Sequence, residues 1–151
     1  MSQSLSKVYV HITFSTKRHH PFIDDAIKVS LFEYIGGICK GLDCNPVKIG
    51  GHHDHVHILC LLSRKIAQMK LLEEIKKQSS KWIKGIGKGY LSFTWQTGYG
   101  AFSVSSRAVE IVRKYIRNQK RHHRTKSYVE ELERLFMENG VIEFDPEFYW
   151  R

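Results

Sequence analysis

Apolar and polar residues alternate cleanly from Lys7 to Ser15, with Val8, Val10, Ile12 and Phe14 on one face and Tyr9, His11, Thr13 and Ser15 on the other. A period of two predicts a strand with one face on a core. Ile27, Leu31, Tyr34, Ile35 and Ile38 then follow helical spacing, with Asp24 as the expected N-cap and Gly41 as the stop. Gly36-Gly37 should weaken the last turn of that helix. A short strand is expected around Val47 to Ile49. The apolar run Ile58 to Leu62 follows His55, Val56 and His57, and 55–62 reads as a buried strand. Gly50-Gly51 with His52 to Asp54 makes a tight connection between the two, so an antiparallel hairpin is predicted.

A second helix is expected over Ile66 to Ile83, with a stripe of Ile66, Met69, Leu72, Ile75, Ser79, Trp82 and Ile83, and Lys70, Lys76, Lys77, Lys81 and Lys84 largely off it. The chain breaks at Gly85 to Gly89. Leu91 to Trp95 and Ala101 to Val104 then read as short strands. The order strand, helix, strand, strand, helix, strand is the ferredoxin-like (split βαβ) pattern, an α+β fold with an antiparallel sheet and both helices on one face. Those helices must cover Val8, Val10, Val56 and Ile58. His55 and His57 project together from the opposite face, beside Tyr9, His11 and Thr13.

Ser105-Ser106 is the expected cap of a third helix, whose stripe of Ala108, Ile111, Val112, Tyr115, Ile116 and Gln119 faces a body. A glutamine on such a stripe needs polar partners. Beyond the strongly basic Arg121 to Lys126, Ser127 should cap a short helix with Tyr128, Val129, Leu132, Leu135 and Phe136 as its apolar set and Gly140 as its end. Val141 to Phe144 and the aromatic Phe148-Tyr149-Trp150 follow, and this tail is expected to dock on the body or on a partner subunit. The whole, residues 1–151, reads as one domain with a core of about 7–121 and an extension of about 122–151.

The chain has 151 residues, 42% of them hydrophobic, enough for one real core. Its net charge of +9 points to a polyanionic partner, nucleic acid first. No apolar run is long enough to span a membrane, and the polar start leads straight into a strand with no signal peptide visible. Three scattered cysteines, Cys39, Cys44 and Cys60, suit reduced thiols in the cytoplasm and no zinc knuckle. The basic turn Lys17, Arg18, His19 and His20 is a candidate DNA contact, with an ordinary solvated loop standing level with it, and the lysine-rich second helix is another, for which a solvated face is the plainer account. Tyr9, Tyr99 and Phe102 are candidates for base stacking, with core packing the better assignment for Phe102.

His55-Val56-His57 resembles the histidine–hydrophobic–histidine (HUH) motif. Ile111 to Gln119, with Tyr115 and Gln119 four apart, is similar to the helix bearing the nucleophile in TnpA-type single-tyrosine transposases of small insertion sequences, relatives of the REP-associated tyrosine transposases. The segment Thr94 to Val104 is also similar to theirs, so the resemblance runs from about Val8 to Gln119. It implies that His55, His57 and Gln119 bind a divalent metal, magnesium or manganese, and that Tyr115 attacks single-stranded DNA. Imidazoles alone favour transition ions, but a phosphate substrate brings hard oxygen ligands. The products would be a 5′-phosphotyrosine and a free 3′-hydroxyl. It also implies hairpin-bearing element ends as substrate and a homodimer in which Tyr115 can reach the histidines of the partner subunit, with Ser103 to Ser106 as hinge. Asp54 can orient a histidine, although capping a turn is its commoner role. Two rivals stand beside this reading. A histidine-triad nucleotide hydrolase leaves Tyr115 and Gln119 unexplained. A non-catalytic or domesticated single-stranded nucleic-acid-binding protein of the same fold would survive Tyr115→Phe.

Overall fold

The alternating segments pair as one antiparallel sheet in the computed structural model, which describes residues 4–141. Its strands are β1 (Val8–Ser15), β2 (Asn45–His52), β3 (His55–Leu62) and β4 (Gly100–Val104), in the order β2-β3-β1-β4. Helices α1 (Lys28–Gly41) and α2 (Gln68–Lys84) lie on one face. This is the ferredoxin-like arrangement expected. Val10, Ile12 and Phe14 of β1 and Val56, Ile58 and Cys60 of β3 meet Leu31, Ile35 and Ile38 of α1 and Leu71, Leu72 and Ile75 of α2 in one buried core. Removing apolar area of this extent from water is the main force holding the layers together.

Several boundaries differ from the sequence expectation. Asp24 does not cap α1; Ile27 does, while the Asp24 carboxylate accepts from the amides of Ala26 and Ile27 in the turn before it. On α2 it is Leu71, not Met69, that joins the buried stripe; Met69 is 72% exposed. The lysine-rich face of α2 is not wholly solvated, because Lys76 Nζ donates to the carbonyls of Gln96 and Gly98 and fixes the loop before β4. Leu91 to Trp95 is not a strand. β4 already occupies the free edge of β1, so only Trp95 pairs, with Thr16 just past the end of β1, while Phe93 and Trp95 still drop into the core.

The other face carries three further helices: α3 (Val109–Arg117), α4 (Gln119–His122) and α5 (Tyr128–Glu138). The predicted single helix through Gln119 is interrupted at Asn118, and Ile111 of its stripe is 70% exposed. Ser127 caps α5 as expected, its Oγ accepting from the Glu130 amide at 3.2 Å. Tyr128, Leu132 and Phe136 close with Phe102 into a second, smaller core. The tail as far as residue 141 thus packs on the body of its own chain. The aromatic cluster at 148–150 lies outside the described residues.

Candidate active site

Strand register places the histidines. Thr13 pairs with His57 and Ser15 with His55 across β1 and β3, and His52 pairs with His55 across the hairpin, which leaves His53-Asp54 as a two-residue turn. Gly51 makes that turn possible: it has φ +156, and a Cβ there would stand 2.2 Å from the His55 carbonyl oxygen. Gly50 serves the neighbouring helix. A Cβ on it would lie 2.8 Å from the Ile116 carbonyl oxygen, so its absence lets α3 settle directly on β2. That contact brings Tyr115 and Gln119 over the histidines.

The four residues read from the sequence, His55, His57, Tyr115 and Gln119, do converge, and a fifth joins them. Glu131 of α5 is 5% exposed and stands at the centre. Its Oε1 lies 2.8 Å from His57 Nε2 and 3.5 Å from His55 Nε2. Its Oε2 accepts from the Tyr115 hydroxyl and, at 2.9 Å, from Gln119 Nε2. The Gln119 amide oxygen in turn faces His55 Nε2 at 2.8 Å and His123 Nε2 at 3.0 Å. One carboxylate therefore touches both imidazoles with one oxygen and the nucleophile candidate with the other. Glu131 interrupts the apolar set Tyr128, Leu132, Leu135 and Phe136, and a charge on a buried stripe was the signal for it in the sequence.

A second ring of contacts fixes the imidazoles. Asp54 Oδ1 sits 2.7 Å from His55 Nδ1, so this aspartate orients a histidine rather than merely capping the turn. His11 Nε2 sits 2.8 Å from His57 Nδ1. The Tyr128 ring stacks on His55 at 4.3 Å, and its hydroxyl bonds Thr13 Oγ1 at 2.9 Å.

The proton inventory follows from these partners. The two nitrogens of His55 face Asp54 Oδ1 and the Gln119 amide oxygen. His57 Nε2 donates to Glu131, so His57 Nδ1 accepts from His11 Nε2. Burial, with His57 adding to it, pulls His11 down to about 3. Burial also lowers His57, against the pull of Glu131. Glu131 is held far below the ordinary carboxylate range: burial opposes its charge, but His57, His123 and His55 together outweigh burial. Burial and then the Glu131 charge push the Tyr115 phenol well above its usual range.

His55, His57 and Glu131 form the one group of potential metal ligands among the described residues, with ligand atoms within 4.8 Å of one another. Two imidazoles and a carboxylate, all buried, suit a divalent ion, and the concentration of positive hydrogens around one buried anion marks where a cation would sit. Residues 4–119 match the family described as "Transposase IS200 like".

The chain belongs to the IS200-like transposases. Two solved structures share its fold. One is a Deinococcus radiodurans R1 protein provisionally identified as a transposase, with TM-score 0.63 and 18% identity over 79% of this chain and 95% of that one. The other is a REP-associated tyrosine transposase bound to a REP hairpin, with TM-score 0.60 and 16% identity over 82% of this chain and 74% of that one. No curated protein matches the chain. In this transposase the family match stops at Gln119, so Glu131 reaches the HUH site from beyond it.

The basic turn lies at the rim of the site. Thr16 N donates to the Asp54 carbonyl at 2.8 Å, which ties the turn to the HUH hairpin. Lys17, Arg18 and His20 are exposed; His19 is partly buried, its Nδ1 3.9 Å from Asp54 Oδ2. Of the stacking candidates, Phe102 is in the second core and Tyr99 packs against the first.

Proposed function

We propose that this transposase cleaves and rejoins single-stranded DNA through a covalent 5′-phosphotyrosine on Tyr115. The observation that carries the reading is the convergence of the Tyr115 hydroxyl and of His55 and His57 on the two oxygens of Glu131, all within one chain. His55 Nε2, His57 Nε2 and Glu131, with Gln119 beside them, would hold a divalent ion, magnesium or manganese. When bound, the ion offsets charge on the phosphodiester and orients it.

The protein's own groups do the remainder. Asp54 and His11 hold the Nδ1 sides of the two histidines, which keeps their Nε2 atoms turned to the common point. Tyr115 attacks the phosphorus, the P–O bond to the 3′-oxygen breaks, and the phenol proton passes to an acceptor while the 3′-oxygen gains one. The bond energy is kept in the phosphotyrosine, so rejoining to a new 3′-hydroxyl requires no nucleotide cofactor. The phenol resists ionisation because it is buried and faces an anionic Glu131, so its proton leaves in the course of attack and not before it. The substrate in this reading is hairpin-bearing element ends, supported by the hairpin-bound relative of the same fold. Lys17, Arg18, His19 and His20 approach the backbone, and the tyrosine serves the histidines of its own chain within a homodimer.

One observation favours the non-catalytic alternative: α5 covers the site and leaves His55 and His57 fully buried. A labelled hairpin DNA drawn from the flanks of the gene, incubated with manganese and run on a denaturing gel, separates the two. A covalent protein–DNA band that disappears in Tyr115→Phe is expected. Binding without a band in any divalent ion would leave the single-strand-binding reading, and cleavage persisting in Tyr115→Phe would make water the nucleophile.

A further inference from the structure

Behind the HUH histidines, on the side of the basic turn, lies a cleft of about 240 Å³ lined by His19, His52, His53, His123, Lys126 and Tyr128, among others. The catalytic reading uses none of this space. Its walls are nevertheless the reverse sides of groups that hold the site. Tyr128 is stacked on His55, His123 bonds Gln119, and Asp54 at the edge bonds His55.

Three features of the cleft point to one kind of ligand. First, His53, His52 and His123 form a ladder of near-parallel rings, 4.3 Å apart at 14° and 5.6 Å apart at 12°. His52 is covered on both sides, so the half-exposed ring of His53 at the end of the ladder is the flat face on which an unpaired base, whatever its identity, can stack. Second, His52 Nδ1 is shielded from solvent and has no hydrogen-bond partner among the described residues, an arrangement that a donor or acceptor on a base edge would satisfy. Third, Arg18 and His19 both adopt left-handed backbone, φ 57 and φ 59, though neither is glycine. Such strain collects where a ligand is gripped, and here it sets His19 into the cleft with Lys17 and Arg18 outside it. At about 240 Å³ the cleft falls below the ~300 Å³ at which pockets for drug-sized molecules begin, which leaves room for one base and not for a base pair.

We propose that this cleft is a single-nucleotide subsite that takes one unpaired nucleotide next to the scissile phosphate, its base on His53 at the end of the histidine ladder and its phosphate toward Lys126. The proposal rests on the single-stranded DNA reading above and adds to it a place where duplex is rejected. The backbone would run from the exposed Lys17 and Arg18 past Lys126, and the adjoining phosphodiester would lie across the Tyr128–His55 stack.

The test is equilibrium binding in EDTA, so that cleavage plays no part, with fluorescein-labelled oligothymidine at low ionic strength and an abasic version of the same strand. His53→Ala should weaken oligothymidine binding by about tenfold, within the range measured for loss of one stacked base, and should bind the abasic strand no worse than the wild type does. Lys126→Ala, on the surface and without consequence for folding, should flatten the slope of log affinity against log salt by about 0.7. Photocrosslinking with 5-iodouracil in the strand should label peptides 51–54 and 122–128. Strong oligothymidine binding with wild-type affinity and salt slope in both variants, or crosslinks confined to α2, would overturn the subsite and leave the transposase reading intact. Failure of the wild type to bind any single strand at low salt would overturn both.

Discussion

His11 offers a sharp physical test, because it is a neutral imidazole locked inside a site full of charge. It is 4% exposed, and burial with its His57 neighbour takes it from 6.5 to about 3. The unfolded chain therefore binds a proton at His11 before the folded one does. Folding stability is unaffected by this group above pH 7, falls as the pH drops below 6.5, and has lost the full amount once the pH is below about 3. At about 1.4 kcal/mol per unit, the loss between pH 7 and about pH 4.5 comes to about 2.5 kcal/mol. His11→Gln removes the titration while keeping an amide that can bond His57 Nδ1. Urea unfolding followed by tryptophan fluorescence, in EDTA at the two pH values, should show the wild type losing about 2.5 kcal/mol more than the variant. Groups common to both proteins, His57 and Glu131 among them, cancel to first order in the difference. Equal losses in the two proteins would refute the reasoning, since they would mean that His11 is hydrated or that its proton is shared with His57 at no cost.

Other predictions concern the ion and the packing beneath it. Glu131→Gln should lower manganese affinity, measured by calorimetry, by at least about tenfold; unchanged affinity would assign the third ligand to Gln119. Gly50→Ala should destabilise the fold by about 1–3 kcal/mol, and it should also reduce adduct formation, since the added methyl pushes Ile116 and with it the Tyr115 helix off β2. Full activity in that variant would show that α3 does not depend on this contact.

Alternation in β1 and β3 was enough to assign the buried and polar faces, since a period-two pattern admits one orientation once a single face is apolar. The site was legible for the same reason: His55 and His57 had to share the face away from the helices, and Tyr115 and Gln119 shared a helical stripe. The helix-boundary errors arose where tertiary contacts outweigh local preference. Asp24 closes a turn one step before the helix it was expected to cap, and Asn118 breaks the helix between two residues that still reach the same point. The 91–95 segment has the right alternation, yet β4 holds the edge of β1 and only Trp95 pairs, which periodicity does not report. Glu131 escaped because it lies beyond the matching motifs, on a helix read only for its apolar residues. Asp54 was legible as a group that can orient a histidine but ranked behind turn capping, because a turn carboxylate has many ordinary uses, and its 2.7 Å approach to His55 decides the matter.

The short path between Gln119 and Glu131 has a consequence for competition at the site. The carboxylate belongs to the same chain as the histidines and returns to them through a few residues, so it confronts them at an effective concentration on the order of millimolar or more. In the proposed reading a divalent ion arriving from solution meets a carboxylate already held beside the imidazoles, and it must displace the hydrogen bonds that fill that space. Affinity measured for the ion would then be a net quantity, the intrinsic hold of the ligands less the hold of those hydrogen bonds. Two proteins with identical histidines, tyrosine and glutamine would differ in apparent ion affinity through the residues of 120–130 that set the place of the carboxylate.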